Sequence, residues 1–87
     1  SHCQLGQNYP NPFNPTTHIR FVVPRQDWVQ LTVYNIRGEH VASLINQTKP
    51  AGEYEVSFNG EHFNSGVYFY TLTVGDQTLT QKMSLVK

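Results

Sequence analysis

The side chains able to attack a substrate, move a proton or hold a metal are few in this sequence: one cysteine, four histidines, six carboxylates and a handful of serines. Nucleophilic catalysis needs a hydroxyl or thiol beside a base that a third group orients. Ser43, Ser57, Ser65 and Ser84 instead fall in or beside strand-like runs, with no nucleophile-elbow spacing around any of them. A zinc site needs clustered imidazoles or thiolates, yet His18, His40 and His62 stand isolated, His2 lies at the extreme end, and no CxxC or HxxxH spacing accompanies them. Calcium needs several converging oxygens, and Asp27, Asp76, Glu53 and Glu55 form no recognised loop. A carboxylate pair working as acid and base needs a walled cleft, for which a short-looped chain of 87 residues has little room. The expectation is a protein with no catalytic residues, no metal and no cofactor.

The elements that must carry any remaining function are bounded by size and charge. Eighty-seven residues make one domain, which buries roughly 60–65% of the surface its unfolded chain exposes. With 38% apolar and only 14% charged residues the chain has the means to build that core, so it is not a disordered tail. Six basic and six acidic side chains cancel, which removes the positive field that nucleic-acid binders depend on. No segment reaches the ~18–20 consecutive apolar residues of a spanning helix, and none opens the chain as a signal peptide would. Neither nucleic acid nor membrane insertion is expected. Ser1-His2 reads as a tag-cleavage scar, which with Cys3 to Gln7 makes residues 1–7 a scar and linker remnant ahead of a domain over 8–87. Cys3, alone and near an end, reads as an exposed spectator thiol.

From Leu5 to Thr17 the prolines of LGQNYPNPFNPTT hold the backbone extended and short of donors, a lead-in that Tyr9 and Phe13 anchor to the edge of the fold. After it apolar residues recur with period two, the mark of strands with one buried face: Ile19, Phe21 and Val23, then Val29, Leu31 and Val33. The run from His40 to Ile45 alternates poorly at Val41 and Leu44 and predicts a bulge or short edge strand. Tyr54, Val56 and Phe58 follow, closed by Asn59-Gly60, a pair that tolerates positive φ. Tyr68, Tyr70, Leu72 and Val74 share one face of a central strand. Gly75-Asp76 turns the chain into a last strand whose Leu79, Met83 and Leu85 point inward. Six or seven short strands and no helical period predict an all-β chain, a small immunoglobulin-like antiparallel sandwich; a small barrel is the alternative.

Five blocks then stand out together: NYPNPFNPTT (Asn8 to Thr17), VYNIRGEHVASL (Val33 to Leu44), PAGEYEVSFNG (Pro50 to Gly60), SGVYFYTL (Ser65 to Leu72) and KMSLVK (Lys82 to Lys87). In these blocks and their order the chain resembles the type A C-terminal sorting domain of the type IX secretion system, which is also similar to the immunoglobulin-like domain of flagellar hook-capping proteins. The resemblance implies a secreted or cell-surface protein that reaches its destination through the periplasm and outer membrane. It also implies partners: the outer-membrane secretion machinery, a sorting peptidase, and a passenger domain upstream. On the family's pattern, glycine-and-tyrosine signatures fall on Gly52 and Tyr54 and on Gly66, Tyr68 and Tyr70, and a terminal lysine motif on Lys82 and Lys87. Phe58-Asn59-Gly60 replaces the family's frequent Trp-Asp-Gly.

Lys82 and Lys87 could be cations that a receptor reads, or outward charges that protect an edge strand from aggregation. Gly52 and Gly66 each sit two positions before an aromatic ring, which favours a turn-forming role over recognition. The rival function is a carbohydrate-binding or adhesive accessory module, with Trp28, Tyr34 and Phe69 as an exposed aromatic platform. An open edge strand also leaves room for a weak dimer.

Overall fold

The computed structural model describes residues 2–87. Seven strands follow in order: β1 (Gln4–Leu5), β2 (Thr16–Val23), β3 (Asp27–Asn35), β4 (His40–Lys49), β5 (Gly52–Asn59), β6 (Gly66–Val74) and β7 (Gln77–Leu85). All five strand pairings are antiparallel. They form two separate sheets, β1-β2-β5 and β4-β3-β6-β7, so the chain is the expected sandwich and not a barrel.

The alternation that predicts the strands also fills the core. Ile19, Phe21 and Val23 from β2, Val29, Leu31 and Val33 from β3, Tyr68, Tyr70, Leu72 and Val74 from β6, and Met83 and Leu85 from β7 are all buried. A strand points successive side chains to opposite faces, so each run delivers its apolar set to the space between the sheets. The irregularity expected at Val41 and Leu44 is real: the register of β4 against β3 shifts twice and passes over both residues. These bulges let β4 continue to Lys49, past the expected end at Ile45. One inward assignment is corrected. Leu79 is 38% exposed, because the facing sheet on that side offers only the two residues of β1. Val56 is half-buried against the core, as befits a residue of the edge strand β5.

The largest departure lies before β2. Cys3 and Leu5 are buried, and β1 pairs with Val22 and Phe21 of β2. Cys3 and Leu5 thus pack into the sandwich, and the Cys3 thiol is buried; burial pushes its pKa up. The proline-rich run does not stay extended. It bends between two single bridges, Tyr9 to His18 and Phe13 to Leu85. Of its two expected anchors only Phe13 enters the core, at 1% exposure, with its ring edge-on to Phe58 at 6.0 Å; Tyr9 is 79% exposed and is held by its backbone alone.

A buried polar hub fixes this segment to both sheets. The Asn8 N–H donates to the Tyr70 hydroxyl at 2.7 Å, and that hydroxyl donates to the Gly6 carbonyl at 2.7 Å. The Asn8 side-chain amide donates to Thr17 Oγ1 at 3.0 Å, and Thr17 donates to the Pro10 carbonyl at 2.8 Å. Asn8 and Thr17 are the buried polar residues, and the prolines that remove donors from the lead-in leave carbonyls for these side chains to satisfy.

Beyond the hub the segment runs along the free edge of β7. The Phe13 N–H donates to the Ser84 carbonyl, the Val86 N–H to the Phe13 carbonyl, the Ser84 N–H to Asn11 Oδ1 and the Gln7 side chain to the Lys82 carbonyl, all within 3.0 Å. An edge strand left open is a template for another chain, and here the protein's own N-terminal segment occupies the C-terminal half of that edge. Gly60 is required at this junction for space. A Cβ there would lie 2.9 Å from Leu85 Cδ2 and 3.3 Å from Phe13 Cε2. Its φ is not positive, which corrects the conformational reason expected for it.

Candidate functional site

The residues singled out in the sequence fall in three places. Gly52 with Tyr54 and Gly66 with Tyr68 form two copies of one local device. The Tyr54 hydroxyl donates to the Pro50 carbonyl at 2.6 Å and the Tyr68 hydroxyl to the Asn64 carbonyl at 2.7 Å, each four residues back. Between tyrosine and carbonyl stands a glycine with φ of +155° in one copy and +153° in the other, a conformation residues with a Cβ rarely adopt. At Gly66 a Cβ would meet nothing within 4 Å, so the demand there is on the backbone alone. The glycine folds the incoming chain back under the ring, and the ring then closes the corner, much as tyrosine corners do in other sandwiches. Tyr54 also stacks on Phe21 at 5.3 Å and carries the Lys49 ammonium 4.6 Å from its ring centre, while Tyr68 is buried against Phe63. Each of the four thus has a structural part in these corners.

The two lysines are not brought together. Lys82 is exposed on the outer face of β7, directly across from Phe69. Lys87 lies past the end of that strand, where its backbone N–H donates to Ser65 Oγ and its ammonium to the Glu61 carbonyl.

The three rings expected as a platform divide into a pair and an outlier. Tyr34 on β3 is the direct cross-strand neighbour of Phe69 on β6, and both are half-buried on the outer face of the four-stranded sheet. Trp28 lies on the same face and is 49% exposed, but it is six residues from Tyr34 along β3, about 20 Å at the usual rise. The register fills the interval. The ring pair belongs to a row across all four strands, His40, Tyr34, Phe69 and Lys82, with the His40 ring edge-on to Tyr34 at 6.3 Å. The next row is Ser43, Thr32, Thr71 and Thr80, and the one after it Asn46, Gln30, Thr73 and Thr78. Side chains within these rows bind one another: Thr71 to Thr80 at 3.1 Å, Thr73 to Thr78 at 3.4 Å and Gln30 to Asn46 at 3.2 Å. The sequence reading missed these threonines and amides, although the T-x-T spacings of β6 and β7 signal them once the strands are paired.

The outer face of the three-stranded sheet is of a different kind. Arg20 Nε lies 2.9 Å from Glu55, whose other oxygen is 3.7 Å from His18, and Glu53 is exposed on the same strand as Glu55. The hydrogen bond from Arg20 holds the Glu55 carboxyl below the usual carboxylate range. One face of the sandwich is thus charged, and two complete rows of the other carry no charge.

A model of one protein family, described as the secretion system C-terminal sorting domain, matches residues 7–86. A search of curated proteins finds no match.

Proposed function

The chain belongs to the family of secretion system C-terminal sorting domains, and on that premise we propose that it acts as a folded address label, read by the type IX outer-membrane machinery and cut from an upstream passenger by a sorting peptidase. Membership carries a sorting signal, a link to that machinery and a secreted or cell-surface destination, in a family that is generally non-catalytic. The single observation that carries the reading is the match over residues 7–86, which takes in every strand except β1. Lys82, exposed and unshared with any carboxylate on its own face, is the cation we assign to the receptor contact.

The cut falls N-terminal to Cys3 on this reading. Supporting it, the Cys3 N–H is held by Gln77 Oε1 at 2.9 Å, the Leu5 carbonyl by Gln81 Nε2 at 3.0 Å and the Gly6 N–H by the Arg20 carbonyl at 2.9 Å. A peptidase needs an extended, unpaired backbone, which these residues do not offer while the sandwich is folded.

The test fuses residues 2–87 to a fluorescent protein that carries its natural upstream linker and an export signal, in a host with this secretion system. Removing Lys82 to Lys87 would be the wrong comparison, because it takes Met83 and Leu85 out of the core; Lys82→Ala leaves the core intact and is the variant to compare. The intact fusion should reach the surface or the medium, Lys82→Ala should do so several-fold less, and mass spectrometry of the released domain should find its first residue at or before Cys3. Retention of the intact fusion in the periplasm would sink the sorting assignment. A released domain beginning between Gln4 and Asn8 would sink only the position of the cut.

A further inference from the structure

We propose that the outer face of the four-stranded sheet binds an extended, uncharged polysaccharide chain; the inference does not rest on the sorting reading, although Lys82 borders the same site beside Phe69. Three features point to this ligand. The first is the distribution of charge: the chain has twelve charged side chains, six of each sign, yet the rows through Thr32 and Gln30 contain none, whereas Arg20, Glu53 and Glu55 crowd the opposite face. These two uncharged rows impose no large desolvation cost on a neutral partner, and the cation of the ring row, Lys82, stands at their end and not among them.

The second is the chemistry of the rows. Hydroxyls and side-chain amides both donate and accept hydrogen bonds, so they match sugar hydroxyls whichever way those point. Here they are already oriented by the Thr71–Thr80, Thr73–Thr78 and Gln30–Asn46 contacts, which lowers the ordering cost of binding.

The third is the placement of the rings. Tyr34 and Phe69 stand side by side at one end of the rows and Trp28 at the other. Apolar ring faces are what the C–H faces of sugars stack on. The ring pair and Trp28 would therefore grip two separated sugars, and the threonine and amide rows would bind the hydroxyls of those between. A single sugar cannot bridge about 20 Å, so the ligand is a chain.

The experiment is electrophoresis of the domain, residues 2–87, through native gels containing mixed-linkage β-glucan, xyloglucan, galactomannan or dextran, with alginate as the anionic comparison. The domain should be retarded in at least one neutral gel and not in alginate. Phe69→Ala and Trp28→Ala should each weaken that retardation about tenfold, and Thr71→Glu, which puts a carboxylate mid-face, should abolish it. Glu53→Gln on the opposite face should leave it unchanged, and circular dichroism of each variant confirms that it is folded. No retardation in any of the four neutral gels overturns the proposal, as does equal retardation in alginate. Unchanged retardation of folded Phe69→Ala and Trp28→Ala overturns it too.

Discussion

Phe13→Ala should cost about 3–5 kcal/mol of stability, the range for removing a fully buried aromatic ring from a core that only partly collapses. Phe13 is 1% exposed, touches the Phe58 ring edge-on and packs so close to Gly60 that a Cβ there would lie 3.3 Å from its ring. The truncation empties space between the proline-rich segment, the end of β5 and the end of β7 at once. A domain of this length is stable by roughly 4–13 kcal/mol, so the loss is a large share of the whole. In a thermal melt followed by circular dichroism, the midpoint should fall by roughly 12 °C or more, since each kcal/mol moves a domain of this size by about 4–8 °C. A fall of under about 4 °C would mean that the segment is a dispensable lead-in, as its composition alone suggests. Tyr9→Ala, with Tyr9 in the same segment but exposed, should move the midpoint by no more than a degree or two and serves as the control.

The second large effect concerns the Tyr70 hydroxyl, which no solvent reaches. Tyr70→Phe leaves the buried Asn8 N–H without its acceptor, at about 1–3 kcal/mol, and takes the hydroxyl donor from the partly exposed Gly6 carbonyl. The same hydroxyl makes the fold sensitive to alkali. Burial pushes its pKa up to about 12, although the Asn8 N–H pulls the other way, whereas in the unfolded chain a tyrosine loses its proton near pH 10. Below about pH 10 the phenol is neutral in both states and the stability is fully present. Between roughly pH 10 and 12 the unfolded chain releases the proton while the folded domain retains it, so stability falls, by on the order of 2–3 kcal/mol at the upper limit. The check is a series of urea midpoints from pH 8 to 12 for the wild type and Tyr70→Phe. The wild type should start well above the variant and approach it as the pH rises. A gap that stays constant across the series would show that the Tyr70 hydroxyl is not the buried acid described here.

Most of the fold can be read from alternation alone, and the reasons for the exceptions are instructive. Ile19, Phe21, Leu31, Val33, Tyr70 and Leu72 lie in strands with neighbours on both sides, so period two is enough to assign their faces. Leu79 has the right parity and is still exposed, because parity says which way a side chain points and not whether anything covers it. Tyr9 and Phe13 carry similar local signals, yet one is exposed and the other buried. What separates them is a bridge to Leu85, more than seventy residues on, which no local window contains. Burial of Cys3 and Leu5 is illegible for the same reason, since a two-residue strand, with Cys3 just before it, has no period to detect. In the candidate sites, the glycine–tyrosine pairs were visible as motifs but their meaning was not, because the reciprocal role of each Pro50 or Asn64 carbonyl appears only when the corner is closed. The polar rows beside Tyr34 and Phe69 come from four strands and exist only in register.

The strap that runs from β1 through Phe13 has a mechanical consequence. On the sorting reading, a passenger joined upstream would pull on the domain through Cys3, and the tension would enter a segment bonded along one flank to β2 and along the other to β7. At Phe13 the strap runs parallel to Leu85, so a pull toward opposite ends of the molecule slides the two past each other. The bonds on either side of that bridge must then yield together, in shear, and cannot peel open one after another as they do in a hairpin pulled apart. On the sorting reading, a domain tied this way would meet the load of a passenger in shear, with its own sheets closed.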